Sequence, residues 1–205
     1  MKLFKIRMSI FVSLSLVFIC FCFLGWILLP KFLESLNYEV KRAEGPFQLR
    51  LYETFIETKI QTDGQQNEAL RKGFIPLARF IGAKNGSAEK ISMTVPVIQR
   101  KIKNSGNWFV SFSMPSKYTM NTLPTPQKDE LLQVQVPKTL MAVIKFNGKA
   151  NERLLAQKEY KLRNWINKIS YEPIGAVHYY FYNDPLTPGI FRRNEVLFEV
   201  SKIQL

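Results

Sequence analysis

The residues that could carry chemistry are few, and a single histidine leads them. His178 is the only histidine in 205 residues, and it lies in AVHYYFYNDPLTPGIFRRNEVLFEV, residues 176–200. A hydrolytic triad needs a base beside an activated serine or cysteine, and neither a G-x-S-x-G turn nor an available cysteine is present. Metal-ligand spacings, P-loops and G-x-G-x-x-G runs are also missing from the sequence. We therefore predict a protein that is not an enzyme, with no catalytic and no metal-binding residues.

His178 has two interpretations. Alternation over residues 176–182 places it on the same side of a predicted strand as Tyr180 and Tyr182. In the first interpretation it is a structural residue, among tyrosines whose hydroxyls are satisfied at the rim of a sheet. In the second its imidazole is the centre of a ligand site.

A second group of residues lies on a predicted helix, 67–83. Arg71 and Arg79 are eight positions apart, about two helical turns, so they lie on one side. Phe74 and Ala78 fall on the adjoining strip. Two cations that bracket an apolar strip suit an amphiphilic anion with a flat apolar body and carboxylates at its edge. The alternative is that Phe74 and Ala78 face the core while the arginine stems border it.

The N-terminus gives a location for this basic chain, which has 29 Lys and Arg against 16 Asp and Glu. Met8 to Leu29 carries no charged side chain and would span roughly 33 Å as a helix, enough to cross a bilayer core of about 30 Å. Lys2, Lys5 and Arg7 precede it and favour a cytoplasmic N-terminus. Because no A-x-A-like cleavage site follows, we predict an uncleaved signal-anchor in preference to a cleaved signal peptide.

Four segments follow from this assignment: a cytoplasmic basic N-terminus (1–7), a transmembrane signal-anchor (8–29), a linker (30–37) and an exported domain (38–205). We expect a single-pass membrane protein whose C-terminal domain lies outside the cytosol, in the periplasm of a bacterium. Nucleic acid is scarce there, so it is excluded as a partner. Cys20 and Cys22 both fall in the membrane segment, which leaves the exported part without disulfides.

Two similar halves make up the exported part, each with two predicted strands, a helix and two more strands. The segments of the first half are 47–60, helix 67–83, 90–102 and 107–115, and those of the second are 131–137, 139–148, helix 151–170, 176–182 and 194–203. Asn151 is the expected N-cap of the second helix, and Pro76 should end or kink the first near Ile75. The repeated order predicts an α+β fold built by internal duplication, with eight strands in a twisted sheet that curls toward a barrel and two helices against it.

Ordered motifs run along the same part of the chain: EALRKGFIPLARFI, KISMTVPV, VSFSMP, NTLPTP, FNG and YNDPLTPGIFRRNEVLFEV. Together they resemble the SOUL/haem-binding protein family over residues 38–203, and K-I-x-M-T-V-P-V with Y-N-D-P…R-R-N-E-V is specific as a pair. The resemblance implies a duplicated ββαββ unit forming a distorted eight-stranded antiparallel β-barrel with two flanking helices. It also implies non-catalytic binding of haem or another tetrapyrrole.

In this family haem lies in a shallow apolar groove beside the first helix, with basic side chains near the propionates. The residues that the resemblance assigns to such a groove are Arg71, Phe74, Ala78, Arg79 and Tyr182. The loop 183–191 corresponds to the family loop at the edge of the groove. Arg193, Asn194 and Glu195 are expected to fix the geometry of the last hairpin.

One position departs from the family pattern. The namesake's proposed axial histidine follows the arginine of an early strand, and in FQLRLY the residue at that position is Leu51. The resemblance transfers no role to His178, which is left as a candidate ligand. We therefore expect haem to be held through contact area and propionate pairing. The alternative is a module for another amphiphilic anion or for a protein, with no haem role; the sequence names no protein partner.

Overall fold

Two compact units make up the chain, Met1–Leu33 and Glu34–Leu205. The computed structural model describes residues 14, 15, 17, 18, 25, 32–103, 105–127 and 130–203. In the first unit, residues 14, 15, 17, 18 and 25 are helical. The second unit contains the sheet and the helices discussed below.

Within the described residues, no helix combines the length and apolar character that a membrane crossing requires. Such a crossing needs about 20 consecutive apolar residues in a helix. This finding corrects the predicted single-pass location with a C-terminal domain outside the cytosol. The predicted signal-anchor, 8–29, lies outside the described residues except at positions 14, 15, 17, 18 and 25.

The described part of the second unit contains eleven strands, two α-helices and a 3-10 turn. The strands are β1 (Glu34–Ser35), β2 (Tyr38–Glu44), β3 (Phe47–Tyr52), β4 (Phe55–Thr62), β5 (Thr94–Val95), β6 (Val97–Lys101), β7 (Trp108–Ser113), β8 (Leu132–Val136), β9 (Thr139–Asn147), β10 (Tyr171–Phe181) and β11 (Arg193–Lys202). The helices are α1 (Gln66–Ile81), α2 (Glu152–Lys168) and the 3-10 turn Gly189–Phe191. The predicted N-cap is confirmed, since the Asn151 side chain accepts a hydrogen bond of 2.9 Å from the Leu154 N–H.

Nine strands form one sheet in the order β2-β3-β9-β11-β10-β6-β7-β4-β8, and β1 and β5 form a separate parallel pair. All pairings in the large sheet are antiparallel, which confirms the predicted α+β class. The ninth strand, β2, was not predicted. It occupies the edge of β3 that closure onto β8 would require, so the described sheet is open and the predicted eight-stranded barrel is corrected.

The strand order has the twofold symmetry that an internal duplication predicts. The first half supplies β3, β4, α1, β6 and β7, and the second supplies β8, β9, α2, β10 and β11. Without β2, the order of the strands is symmetric about the centre of the sheet. From one edge it runs β3, β9, β11, β10, and from the other edge it runs β8, β4, β7, β6. In both directions the first strand of one half is followed by the second, fourth and third strands of the other half. The halves therefore exchange their first strands, β3 pairing with β9 and β8 with β4, around a pseudo-twofold axis between β10 and β6.

One side of the sheet carries both helices, α1 over β4 and β7 and α2 over β9, β10 and β11. Because side chains alternate along a strand, the intervening residues point to the opposite side, which we call the inner face. Its central charged and aromatic residues are Arg50, Glu57, His178, Tyr180 and Glu195. A sheet side without helices would ordinarily meet water, yet Arg50 and Glu195 are fully buried. The sheet therefore curls around its inner face.

α1 approaches β7 very closely at Gly73. A Cβ built on Gly73 would lie 2.5 Å from Val110 Cβ, closer than real Cβ atoms come. We expect Gly73→Ala to lower the free energy of unfolding by about 1–3 kcal/mol through overpacking, although alanine itself favours a helix by about 1 kcal/mol. Urea unfolding followed by circular dichroism measures the change. Gly106→Ala is the control, because nothing lies within 4 Å of a Cβ there; equal midpoints for both variants would refute the close approach.

α1 continues through Pro76 to Ile81. Of the two predicted effects of Pro76, the end of the helix near Ile75 is therefore wrong, and a kink there stays a prediction. The proline ring removes the donor that would bond the Lys72 carbonyl, and the Lys72 side of the helix is exposed, so water can replace that donor.

Candidate functional site

The outer strip of α1, defined as Arg71, Phe74, Ile75, Ala78 and Arg79, lies on the helix side away from the sheet. Phe74 and Ile75 are 39% and 53% exposed. Both arginines are exposed and Ala78 is partly exposed. At 1.5 Å per residue the two arginines are about 12 Å apart along the helix axis. The structure thus brings together four of the predicted site residues and adds Ile75, which the sequence reasoning missed.

Phe74 belongs partly to the core and partly to the surface. Its ring centroid lies 5.3 Å from that of Phe112 on β7, in an edge-to-face arrangement with an interplanar angle of 66°. Phe112 is almost completely buried. The core therefore fixes the orientation of the Phe74 ring while leaving part of the ring exposed. Phe74 thus contacts the core, as one predicted alternative has it, and also presents apolar surface beside the arginines, as the other has it.

The arginines of the outer strip differ from the neighbouring Lys72 in their ion pairing. Neither Arg71 nor Arg79 forms an ion pair with a residue that the structure describes. Lys72, on the same helix, is held 2.8 Å from Glu68 and 2.9 Å from Asp63, and these hydrogen bonds raise the pKa of its ammonium. Two guanidinium groups without an ion pair among the described residues therefore flank the exposed apolar residues. Guanidinium is the side-chain cation best suited to bind a carboxylate with two parallel hydrogen bonds.

A buried ion pair on the inner face links β3 to β11. Arg50 Nη1 lies 2.9 Å from Glu195 Oε2 and Arg50 Nη2 lies 3.1 Å from Oε1, with both side chains 0% exposed. On the intervening strand β9, Arg50 is opposite Met141 and Glu195 is opposite Lys145. The two residues are therefore two strands and four positions apart, and contact across that diagonal requires the curl of the sheet.

Further hydrogen bonds complete this group, which we call the buried cluster: Arg50, Tyr52, Tyr182 and Glu195, which are buried, and the exposed Arg193, which closes it at the surface. The Tyr182 hydroxyl donates to Glu195 Oε2 at 2.9 Å, and Arg193 Nη2 donates to Oε1 at 2.7 Å. Arg50 Nη1 also donates to the Tyr52 hydroxyl at 2.8 Å. Burial would raise the pKa of Glu195, but the hydrogen bonds and charges of Arg50 and Arg193 outweigh it and hold that pKa below its usual value. The carboxylate is therefore ionised and fully paired at neutral pH.

Tyr182, which the resemblance assigned to the groove, lies in the buried cluster. It is 7% exposed, its hydroxyl is bonded to Glu195, and the Arg193 guanidinium carbon lies 3.8 Å from its ring centroid. Asn194 lies between Arg193 and Glu195 in the sequence, and its Nδ2 donates to the Gly148 carbonyl at 2.9 Å. The three consecutive residues expected to fix the last hairpin thus tie it to β3 and to the loop before α2.

The loop 183–191 is braced by its own hydrogen bonds. Arg192 donates to the Thr187 carbonyl at 2.7 Å and also to the Pro185 carbonyl, and Thr187 is 1% exposed. Three large apolar side chains of the loop are nevertheless exposed: Leu186, Ile190 and Phe191.

His178 is partly buried on the inner face, opposite Arg100 on β6 and Leu197 on β11. Burial, and then the charge of Arg100, lowers the pKa of His178 to about 3. Its ring is therefore uncharged at neutral pH. Over the residues described, no set of three His, Cys, Asp or Glu side chains is placed to hold a metal. Leu51, at the position of the namesake's histidine, is half-buried on β3 and offers no ligand atom.

Glu57 is a second buried carboxylate on the inner face, 3% exposed. Its neighbours are less close than those of Glu195: Ser111 Oγ at 3.2 Å, Arg100 Nη2 at 3.4 Å and Lys59 Nζ at 3.6 Å. The two carboxylates thus share a face but differ in how tightly they are held.

The sequence reasoning missed the ion pair of Arg50 and Glu195. A signal existed, because each is a charged residue inside an apolar strand, and buried charges occur in pairs. The partner could not be read from the sequence, since the two residues are 145 positions apart.

Comparison with known proteins decides the family. A model described as "SOUL heme-binding protein" matches residues 33–199. The chain belongs to the SOUL haem-binding family. A curated relative, heme-binding protein 1 of Sus scrofa, is 24% identical over 174 residues, covering 80% of this chain and 84% of the relative. The family and this relative both support haem as the cofactor, and the family is one of binding proteins rather than enzymes.

Solved structures share the fold of this SOUL domain. The C-terminal domain of EcmrR superimposes with a TM-score of 0.59 at 10% identity, covering 81% of this chain and 99% of that domain. A hydrolase from Listeria innocua gives a TM-score of 0.54 at 10% identity, covering 78% of this chain and 94% of its own. At such identities the likeness shows the fold alone.

Proposed function

We propose that this SOUL protein binds haem or a related tetrapyrrole, without catalysis, on the outer strip of α1. The observation that carries the proposal is a pair of exposed arginines, Arg71 and Arg79, without an ion pair among the described residues, that flank the apolar residues Phe74, Ile75 and Ala78. The family gives the class of ligand. The macrocycle would cover the apolar residues, and its propionates would meet the arginines.

Contact area supplies the affinity in this arrangement. Apolar surface removed from water is worth about 25 cal/mol per Å², and a flat macrocycle covers Phe74 and Ile75 together. Because Phe112 already fixes the Phe74 ring, little side-chain freedom is lost on binding. The arginines add charge-assisted bonds and select a ligand that carries carboxylates.

Iron needs no protein ligand in this site. The outer strip has no histidine, cysteine, methionine or tyrosine, and Leu51 cannot coordinate. We therefore expect His178→Ala to leave the position of the Soret band and the dissociation constant unchanged within about twofold. Absorbance titration of both proteins with haemin measures this. A Soret shift lost only in His178→Ala would instead assign the iron to that imidazole.

The same titration tests the site. Wild-type chain should give a saturable Soret shift, and Arg71→Glu and Arg79→Glu should each raise the dissociation constant about tenfold, the equivalent of about 1.4 kcal/mol per lost charge-assisted bond. Arg153→Glu is the matched control, an exposed arginine on α2 without an ion pair among the described residues.

Two outcomes would remove the proposal. One is the absence of saturable binding in the wild-type chain. The other is an equal loss of affinity in Arg153→Glu, because that would make haemin binding a response to net charge.

A second candidate is another amphiphilic ligand with no haem role. The exposed side chains Leu186, Ile190 and Phe191 favour it, because an exposed apolar patch commonly marks a contact surface. Such a ligand, recovered with the purified chain and not displaced by haemin, would support this candidate over haem.

A further inference from the structure

A cavity of about 250 Å³ lies between β1, the β3–β4 turn, the end of β7 and residues 115–120. It shares no residue with the outer strip of α1. The chain has a formal net charge of +13, yet no lysine, arginine or histidine lines this cavity. Its charged lining residues are Glu34 and Glu53. Among the described residues, the lining itself therefore carries two carboxylates and no cationic side chain, although Lys138 pairs with Glu53 from outside the wall.

The cavity wall combines apolar surface with hydrogen-bond acceptors. Phe55, Met114 and Met120 supply aromatic and thioether surface. Thr94 and Ser113 are 3% and 2% exposed, with their hydroxyl oxygens 3.0 Å apart. Thr94 Oγ1 donates to the Ser113 carbonyl at 2.5 Å, so the wall is fixed by its own bonds.

Both carboxylates keep an oxygen for a ligand. Glu34 Oε1 accepts from the Ser116 N–H at 2.7 Å, and Glu53 Oε1 accepts from Lys138 Nζ at 2.7 Å. The Oε2 atom of each accepts no hydrogen bond from a residue that the structure describes. The position of each carboxylate is also fixed, since its Oε1 already accepts a hydrogen bond.

Groups of the wall already hold ammonium ions. Lys138 is bound to Glu53, and Lys117 Nζ lies 4.7 Å from the ring centroid of Tyr118, another lining residue. Carboxylate pairing and a cation over an aromatic face are the two ways in which proteins bind organic ammonium ions.

We propose that this cavity binds a small organic cation, a protonated amine on a compact apolar body. Its volume of about 250 Å³ is below the roughly 300–1,000 Å³ of drug-sized pockets. A tetrapyrrole is therefore too large for it. The ammonium meets Glu34 and Glu53, and the body packs on Phe55, Met114 and Met120.

Three probes of nearly equal size test the charge requirement: benzylammonium, benzyl alcohol and benzoate. Calorimetric titration of the full chain at pH 7 should show saturable binding of benzylammonium and weaker or no binding of the other two. Glu34→Gln with Glu53→Gln should raise the benzylammonium dissociation constant about tenfold. Glu39→Gln, an exposed glutamate paired with Lys41 on β2, should leave it unchanged.

Charge reversal and haemin complete the test. Glu34→Lys should abolish benzylammonium binding and admit benzoate, while saturation with haemin should leave the benzylammonium affinity unchanged, which separates this cavity from the haem site. The proposal is overturned if the three probes bind equally, if none binds, or if Glu39→Gln weakens binding as much as the cavity variants.

Discussion

Replacing Glu195 by glutamine should lower the free energy of unfolding by about 3–5 kcal/mol. The substitution leaves Arg50 fully buried without its counter-ion, and breaking a buried pair by removing one partner costs about that much. Native domains are stable by only about 5–15 kcal/mol, so the variant should unfold about 6–20 °C below wild type for a chain of this size. Thermal and urea unfolding monitored by circular dichroism measure both quantities.

Two other glutamates separate this effect from a general one. Glu199→Gln, on the same strand and the same side but exposed, should change stability by less than about 0.5 kcal/mol. Glu57→Gln should cost less than Glu195→Gln, because its partners lie 3.2–3.6 Å away and Arg100 and Lys59 are not fully buried. A loss below about 1 kcal/mol in Glu195→Gln would show that the ion pair is dispensable.

Much of the fold could be predicted from local patterns. Period-2 and period-3.6 spacing located seven strand segments, which cover eight of the nine strands of the large sheet, and two helices. Their repeated order predicted a duplication, and the sheet order is symmetric in the way a duplication predicts. β2 was missed because YEVKRAE is mostly exposed and charged, typical of an edge strand but also of a linker. The distorted eight-stranded barrel was implied by the family resemblance, and the described sheet departs from it because β2 covers the edge of β3.

The candidate site also includes some residues whose proximity local sequence patterns predict and others that only the fold brings together. Arg71, Phe74, Ala78 and Arg79 are neighbours on one helix, so their proximity follows from helical spacing alone. The buried cluster joins β3 to β11 across the sheet, and only the fold brings such residues together. Tyr182 illustrates the difference, because its type and motif were recognised, whereas its hydrogen bond to Glu195 depends on the curl of the sheet.

His178 should make the protein less stable as the pH falls from 6.5 toward 4.5. Its pKa is about 3 in the folded chain against 6.5 as a free side chain, so in this window the unfolded state binds a proton that the folded state refuses. Stability is then complete above pH 6.5 and falls with decreasing pH by at most about 1.4 kcal/mol per pH unit. Allowing for the partial exposure of the ring, we expect a loss of about 2 kcal/mol between pH 6.5 and 4.5.

His178→Gln should remove this slope, because no other histidine exists in the chain and glutamine does not titrate. Urea unfolding of wild type and variant at half-unit pH steps measures the difference. Below pH 4.5 both proteins should lose stability together, because the lowered pKa of Glu195 makes the unfolded state take up its proton first. This shared loss of stability below pH 4.5 is an internal control. Glu195→Gln should reduce that loss while keeping the decrease in stability from pH 6.5 to 4.5. A slope in that upper window that persists in His178→Gln would show that another group causes it. No slope in the wild-type chain would mean that the imidazole of the folded chain takes up protons freely, contrary to its place between Arg100 and Leu197 on the inner face.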